Sequence, residues 1–329
     1  MKKINMAFAG FRHTHIYSLL GKARKNENIN VCGAWEEYEP DKKIAEENYE
    51  VNFTYNTYEA LLADENIDAV AIGSYYKARG PMVIAALKAG KHVFVDKPLC
   101  IELEEIEEII KLQKESGLSV FMMLDLRYFP NMLAAKNLID AGEIGEINNI
   151  SFDGQHPLSY ENRAGWYFEE GKHGGTINDI GIHGVDLLRY FTGSELKTVM
   201  AARSWNKYAY KHPHFHDSGM FMCTLENGAG VMADVSYASP DGAGYSLPFY
   251  WEFKIWGTEG VIKFSISSDG VTLYKKGNKE AVKVEKAEAE FDYTEDFVRE
   301  INGEKTTYLS TEEVLKSTLA TLKIQHAAK

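Results

Sequence analysis

Three cysteines in 329 residues, with no CxxC pair among them, leave nothing from which to build a disulfide framework or a zinc knuckle. Cys32, Cys100 and Cys223 stand far apart and read as reduced thiols of a cytoplasmic protein. Basic charge is also scarce: 36 Lys and Arg face 48 Asp and Glu, a net charge of −12. That balance disfavours a nucleic-acid partner bound by phosphate neutralisation. No stretch approaches the roughly 20 apolar residues needed to span a bilayer, so no membrane partner is expected. The first apolar run ends at Gly10, ahead of Arg12 and His13, which is too short for the core of a signal peptide. Internal repeats and low-complexity segments are absent as well. What remains is a globular chain whose length suits two domains of about 150 residues.

The first third alternates short apolar runs with amphipathic stretches. Strands are predicted at Ile4–Ala9, Ile29–Trp35, Ala69–Gly73, His92–Val95 and Val120–Leu124. Helices are predicted at His15–Lys25, Pro40–Asn48, Thr57–Ala63, Pro81–Ala89 and Glu102–Ser116. Such alternation implies right-handed crossovers and a doubly wound parallel sheet covered on both faces, a Rossmann-type α/β domain over residues 1–123. Beyond residue 124 the pattern changes. Helices Asn131–Ala141 and Ile177–Phe191 flank a strand at Ile147–Gly154. A run of strands with short turns follows, from Met220 to Lys275, and Val282–Asp292 reads as a solvated strand and turn. These features predict a second α/β domain over residues 124–329, with a mostly antiparallel sheet and a last helix from Thr311 to His326.

Four segments hold side chains suited to chemistry. After the first strand comes Gly10-Phe11-Arg12-His13-Thr14-His15, in which only Gly10 matches the glycines of a dinucleotide fingerprint. Glu36, 21 positions beyond His15, closes the second strand. A carboxylate there can accept the hydroxyl protons of an adenosine ribose, or it can be one surface acid among Glu37, Glu39 and Asp41. Asp96-Lys97-Pro98 follows the fourth strand, at the end of the sheet where open α/β folds bind ligands. Lys97 there can stabilise an alkoxide or can be an ordinary loop lysine. On the helix after Gly174-Gly175, Asp179, His183 and Asp186 fall at i, i+4 and i+7. This is either an acid–base site, with a carboxylate orienting the histidine, or a structural pair. His212, His214 and His216 alternate, as metal ligands on one face of an extended chain would, or as a polar loop does. No other ligand cluster accompanies them and no metal is expected.

Taken together, the chain resembles the Gfo/Idh/MocA family, the glucose–fructose oxidoreductase and inositol dehydrogenase relatives. The resemblance is carried by Ala86-Leu87-Lys88-Ala89-Gly90-Lys91-His92-Val93 before Asp96-Lys97-Pro98, by Arg127-Tyr128-Phe129-Pro130, by Leu138 to Glu146, and by the helix Gly174 to Gly193. It implies hydride transfer between NAD, with NADP as the variant, and a hydroxyl carbon of a sugar, polyol or related compound. It also implies a homo-oligomer, a dimer or tetramer, often formed through the open sheet. Lys97, Asp179 and His183 match the family's catalytic residues. The cofactor would lie on Gly10, Phe11, Arg12, His13, Glu36, Ser74, Tyr75, Asp96 and Lys97, and the substrate on Arg127; Trp166 and Tyr167 are either sugar-facing aromatics or core packing.

The chain departs from the pattern in its cofactor half. Arg12 and His15 replace two fingerprint glycines, Ser74-Tyr75-Tyr76 replaces a Thr-Pro-Asn turn, Arg79 stands where the family has His, and Asp125 stands at a position that is often Asn. Arg12 is expected near the pyrophosphate, and His15 is expected to push the first helix slightly off the sheet. Alternative readings are a non-catalytic, ligand-sensing relative of the same fold and an NAD-assisted glycosidase.

Overall fold

The computed structural model describes residues 2–245 and 247–328, and the chain forms two compact units. In the first, β1 (Ile4–Ala9), β2 (Ile29–Trp35), β3 (Ala69–Ile72), β4 (His92–Val95) and β5 (Val120–Met122) make a parallel sheet ordered β2-β1-β3-β4-β5. Every residue of β3 and β5 is buried, and both strands are apolar throughout, because helices cover both faces. Those helices include α1 (His15–Lys25), α2 (Glu39–Tyr49), α3 (Tyr58–Ala63), α4 (Tyr76–Lys88) and α5 (Leu103–Ser116). Local sequence sets their ends. The Thr57 hydroxyl accepts the Ala60 amide to start α3, while α5 opens on a Glu102/Glu105 capping box and closes on left-handed Gly117.

The unit is not a single stretch of chain. Residues 171–174 and 292–318 join residues up to 124, so the chain first crosses after Leu124 and then crosses again. The returning segment contains a helix, Tyr293–Ile301, that the sequence reading did not anticipate. Phe297 packs against Phe94 and Phe121, with ring centroids 5.1 and 5.3 Å apart. Asp296, fully buried, accepts the amides of Thr307, Tyr308 and Leu309 and so shapes the turn that follows.

The second unit contains α6 (Pro130–Asp140), α7 (Ile182–Thr192) and eight strands: β6 (Ile147–Pro157), β7 (Leu196–Trp205), β8 (Ser218–Leu225), β9 (Gly230–Ser239), β10 (Tyr250–Gly257), β11 (Gly260–Phe264), β12 (Val271–Lys275) and β13 (Val282–Val284). Their order is β13-β12-β11-β10-β6-β9-β8-β7, antiparallel except for the central β6/β9 pair. One face is the core, where Phe152, Phe221, Val235 and Phe253 are buried and α7 lies close against β6. A Cβ on Gly184 of α7 would sit 2.2 Å from the Phe152 ring, so glycine is required there. The other face leaves Met220, Met222, Met232, Trp256 and Tyr274 exposed. Among the described residues no helix is long and apolar enough to cross a membrane.

Candidate functional site

In the first unit, the turns that follow β1 to β4 bring the expected cofactor residues together. Gly10 has φ +83°, and a Cβ there would lie 2.7 Å from the Ser74 nitrogen. Glycine is therefore demanded by the close approach of the β1 and β3 turns. The Phe11 side chain belongs to the core, stacked among Phe8, Tyr17 and Phe53, and only its backbone faces the turn. Its amide donates to Glu36 Oε2 at 2.5 Å, and Glu36 Oε1 accepts the Tyr38 amide at 2.8 Å. Glu36 is thus a buried acid that braces the glycine turn, not a surface one, and burial raises its pKa. Arg12 pairs with Asp41 at 2.8 Å and lies 4.1 Å above the Tyr38 ring and 5.6 Å from that of Tyr75. Its guanidinium therefore lies on the Glu36 side of the turn.

Beneath the turn is a buried polar network. His13 Nδ1 lies 2.5 Å from Asp96 Oδ2, and Arg79 Nη2 lies 3.1 Å from the same oxygen. Burial lowers His13 to about 3, so the ring is neutral and Nδ1–H is the donor. Burial works to raise Asp96, but His13 and Arg79 outweigh it and hold the carboxyl well below its usual range. His15 does not wedge α1 off the sheet as its bulk suggested. Its exposed ring turns to Asp96 Oδ1 at 3.5 Å, and Ile16 lies so close to Gly73 that a Cβ there would be 2.6 Å away. Lys97 is buried, with Nζ 5.9 Å from the Tyr76 ring centroid.

In the second unit, the predicted helix starts with a π turn, Ile177–Gly181, that contains Asp179, and His183 follows on α7. Such turns recur at functional sites. His183 Nδ1 lies 3.9 Å from Asp125 Oδ1, and its ring meets the Trp251 indole edge-on at 5.6 Å. Trp251 is fully buried with φ +52°, an unusual backbone for so large a residue, where the β6/β10 register shifts. Burial raises the Tyr245 phenol, with Arg163 working against the shift and Asp179 adding to it.

Other expectations change partner. Asp186, grouped by spacing with His183, instead holds Arg127 in a bidentate pair at 2.8 and 2.7 Å. Arg127 is buried and stacks on Tyr190, so it fastens residues 125–128 to α7. Trp166 and Tyr167 are also buried, with Tyr167 under the Arg163 guanidinium and edge-on to Tyr237. The three alternating histidines diverge: His212 stacks on Phe168, His214 faces Glu170, and His216 bonds Ser204. They do not converge on a metal. His13, His15 and Asp96 do bring ligand atoms within 4.8 Å of one another, but the Arg79 guanidinium already neutralises that carboxylate. Arg79, Asp125 and Trp251 were not predicted as site residues. Only the first two had a signal, as departures from the family pattern.

The donor set of the first unit suits a nicotinamide dinucleotide. A left-handed glycine turn leads into a helix with no acid in its first turn, and an acid stands at the end of β2. Residues 4–124 match an oxidoreductase family with an NAD-binding Rossmann fold, and residues 132–263 match the GFO/IDH/MocA C-terminal domain. The chain belongs to the Gfo/Idh/MocA oxidoreductase family. It is 31% identical over 211 residues to scyllo-inositol 2-dehydrogenase (NAD(+)) of Bacillus subtilis, a match covering 61% of this chain and 56% of that enzyme. The chain thus spans little more than half of that relative's length. Among solved structures, a protein from Erwinia carotovora atroseptica superimposes with a TM-score of 0.86 at 26% identity, covering 99% of both chains. A levoglucosan dehydrogenase complex with NADH and levoglucosan gives 0.81 at 20% identity, over 99% of this chain and 97% of that one, a likeness of fold.

Proposed function

We propose that the protein is an NAD-dependent dehydrogenase acting on a hydroxyl carbon of a sugar, a polyol or a related compound. The observation that carries this reading is His183, a buried histidine on the first turn of α7 just after a π turn, whose Nδ1 faces a carboxylate and whose ring meets Trp251 edge-on. With Nδ1 turned to Asp125, Nε2 is the atom that takes the hydroxyl proton. Asp179 binds a second hydroxyl or orients the ring. Lys97 supplies the positive charge that stabilises the developing alkoxide. Bound NAD would supply the hydride acceptor, and the Gly10 turn, Ser74, Tyr75 and Glu36 are the residues that would hold it. A polyol relative that uses NAD(+) supports the substrate class and the cofactor.

A panel of sugars and polyols with NAD and NADP, followed by nicotinamide absorbance, tests the reading. Lys97→Met and His183→Ala should each lower turnover by at least ~10²-fold with the fold intact. A protein that binds the dinucleotide but turns over nothing would be the ligand-sensing relative. Release of sugar from an aryl glycoside without net NADH would favour the glycosidase. We further propose that the protein is a cytoplasmic homo-oligomer assembled through the open face of the second sheet. Its three free cysteines and its exposed methionines support that reading.

A further inference from the structure

We propose that Arg79 is the positioning residue for Lys97. What Lys97 does rests on the dehydrogenase reading, whereas the placement of its backbone does not. Arg79, on the first turns of α4, is fully buried. Nε donates to the Ser74 carbonyl at 2.8 Å. Nη1 faces three consecutive carbonyls: Asp96 at 2.6 Å, Lys97, and Pro98 at 3.2 Å. Nη2 binds the Asp96 carboxylate at 3.1 Å. The backbone of residues 96–98 therefore curls around one guanidinium, which acts as the template of the turn.

A lysine has a flexible stem of four carbons, so its ammonium is only as well aimed as its Cα. The guanidinium fixes that Cα from beneath. Through Ser74 it ties the turn after β3 to the turn after β4, and through Asp96 and His13 it reaches the turn after β1. The ends of three strands thus share one buried charge network. Lysine at position 79 would keep the charge but has three donors on one atom and no planar fork, so it cannot serve both turns at once.

Hydrogen exchange on the cofactor-free protein is the first test. Arg79→Lys should raise amide exchange about tenfold at residues 74–76 and 96–100 while β1, β3 and β5 keep wild-type protection. Unchanged exchange in those two segments overturns the proposal. The second test is a double-mutant cycle on kcat. Arg79→Lys should lower kcat about tenfold when Lys97 is present and less than about twofold in a Lys97→Met background. Equal losses in both backgrounds would make Arg79 a structural residue only. If Arg79→Lys does not fold, the wild-type protein still decides: NMR should show separate, slowly exchanging Arg79 Nη–H signals, and a single averaged signal overturns the template. Absence of any turnover in the wild type would sink the dehydrogenase reading, and the exchange result would still stand.

Discussion

His13 shows at the scale of one residue how this protein uses charge. A histidine that titrates near 6.5 when exposed is held neutral down to about 3 by burial, and its Nδ1–H is spent on Asp96. Between those values the unfolded chain binds a proton that the folded chain refuses. Stability must therefore fall as pH drops below about 6.5, at up to about 1.4 kcal/mol per pH unit. Asp96, whose pKa is depressed, adds a loss of the same sign as pH falls below the ordinary carboxylate range. Thermal unfolding from pH 8 to 4 should show Tm declining from about 6.5 downward, with a shallower decline in His13→Gln. An identical slope in the variant would mean that His13 is not the group responsible. Glu36 carries a second prediction at this scale. If Glu36 serves the adenosine ribose as proposed, a buried acid there repels a 2′-phosphate, so calorimetry should show tighter binding of NADH than of NADPH, and Glu36→Gln should narrow the gap. Preference for NADPH in the wild type would show that Arg12, on the same side, dominates. The candidate residues that the sequence offered were those grouped within one local motif, namely Lys97, Asp179 and His183. Arg79, Asp125 and Trp251 were not among them, because the partners that mark them are 17, 58 and 68 residues away, and only the first two stood out, as departures from the family pattern.

At the scale of elements, the helix that holds Asp179 and His183 carries a trace of its irregularity in its apolar spacing. Positions 177 and 180 are three apart, and so are 185, 188 and 191, but 180 and 185 are separated by five. The structure places a π turn over Ile177–Gly181, just before that wide step. A uniform α-helical reading grouped Asp186 with His183, whereas the real helix gives Asp186 to Arg127. That pair is buried and bidentate, so removing one partner leaves an uncompensated charge. Arg127→Met should cost about 3–5 kcal/mol in urea unfolding, and a loss below about 1 kcal/mol would mean that water reaches Asp186. The helix–sheet contact at Gly184 is equally unforgiving. With Phe152 occupying the Cβ position, Gly184→Ala should lower stability by about 1–3 kcal/mol despite alanine's better helix propensity. A stabilised variant would show that Phe152 can swing away.

The whole molecule was legible as far as alternation and pattern reach. The period of strand and helix gave the parallel sheet, and consecutive strands with short turns gave the second sheet. The return of residues 292–318 to the first unit was not legible, since tertiary contacts such as Phe297 on Phe94 and Phe121 and the Val120 amide on Thr311 are what reveal it. The remaining question at this scale is what covers the open sheet face. Register places Met222 beside Met232 on neighbouring strands, and Met220 beside Asp234. Both Met222 and Met232 are roughly half exposed, at 44% and 55%, and an apolar patch of this kind is where the proposed subunit contact would form. These side chains point away from the unit's own core, so changing them should spare the fold. Sedimentation velocity of the wild type should give a dimer or tetramer, and Met222→Glu with Met232→Glu should give a monomer with an unchanged far-ultraviolet spectrum. Each copy would bring two new carboxylates onto a face that already holds Asp153 and Asp234, whose pKa values burial raises, and a second copy would double that repulsion. A wild type that stays monomeric at tens of micromolar, or a double variant that assembles as before, would remove this face as the interface.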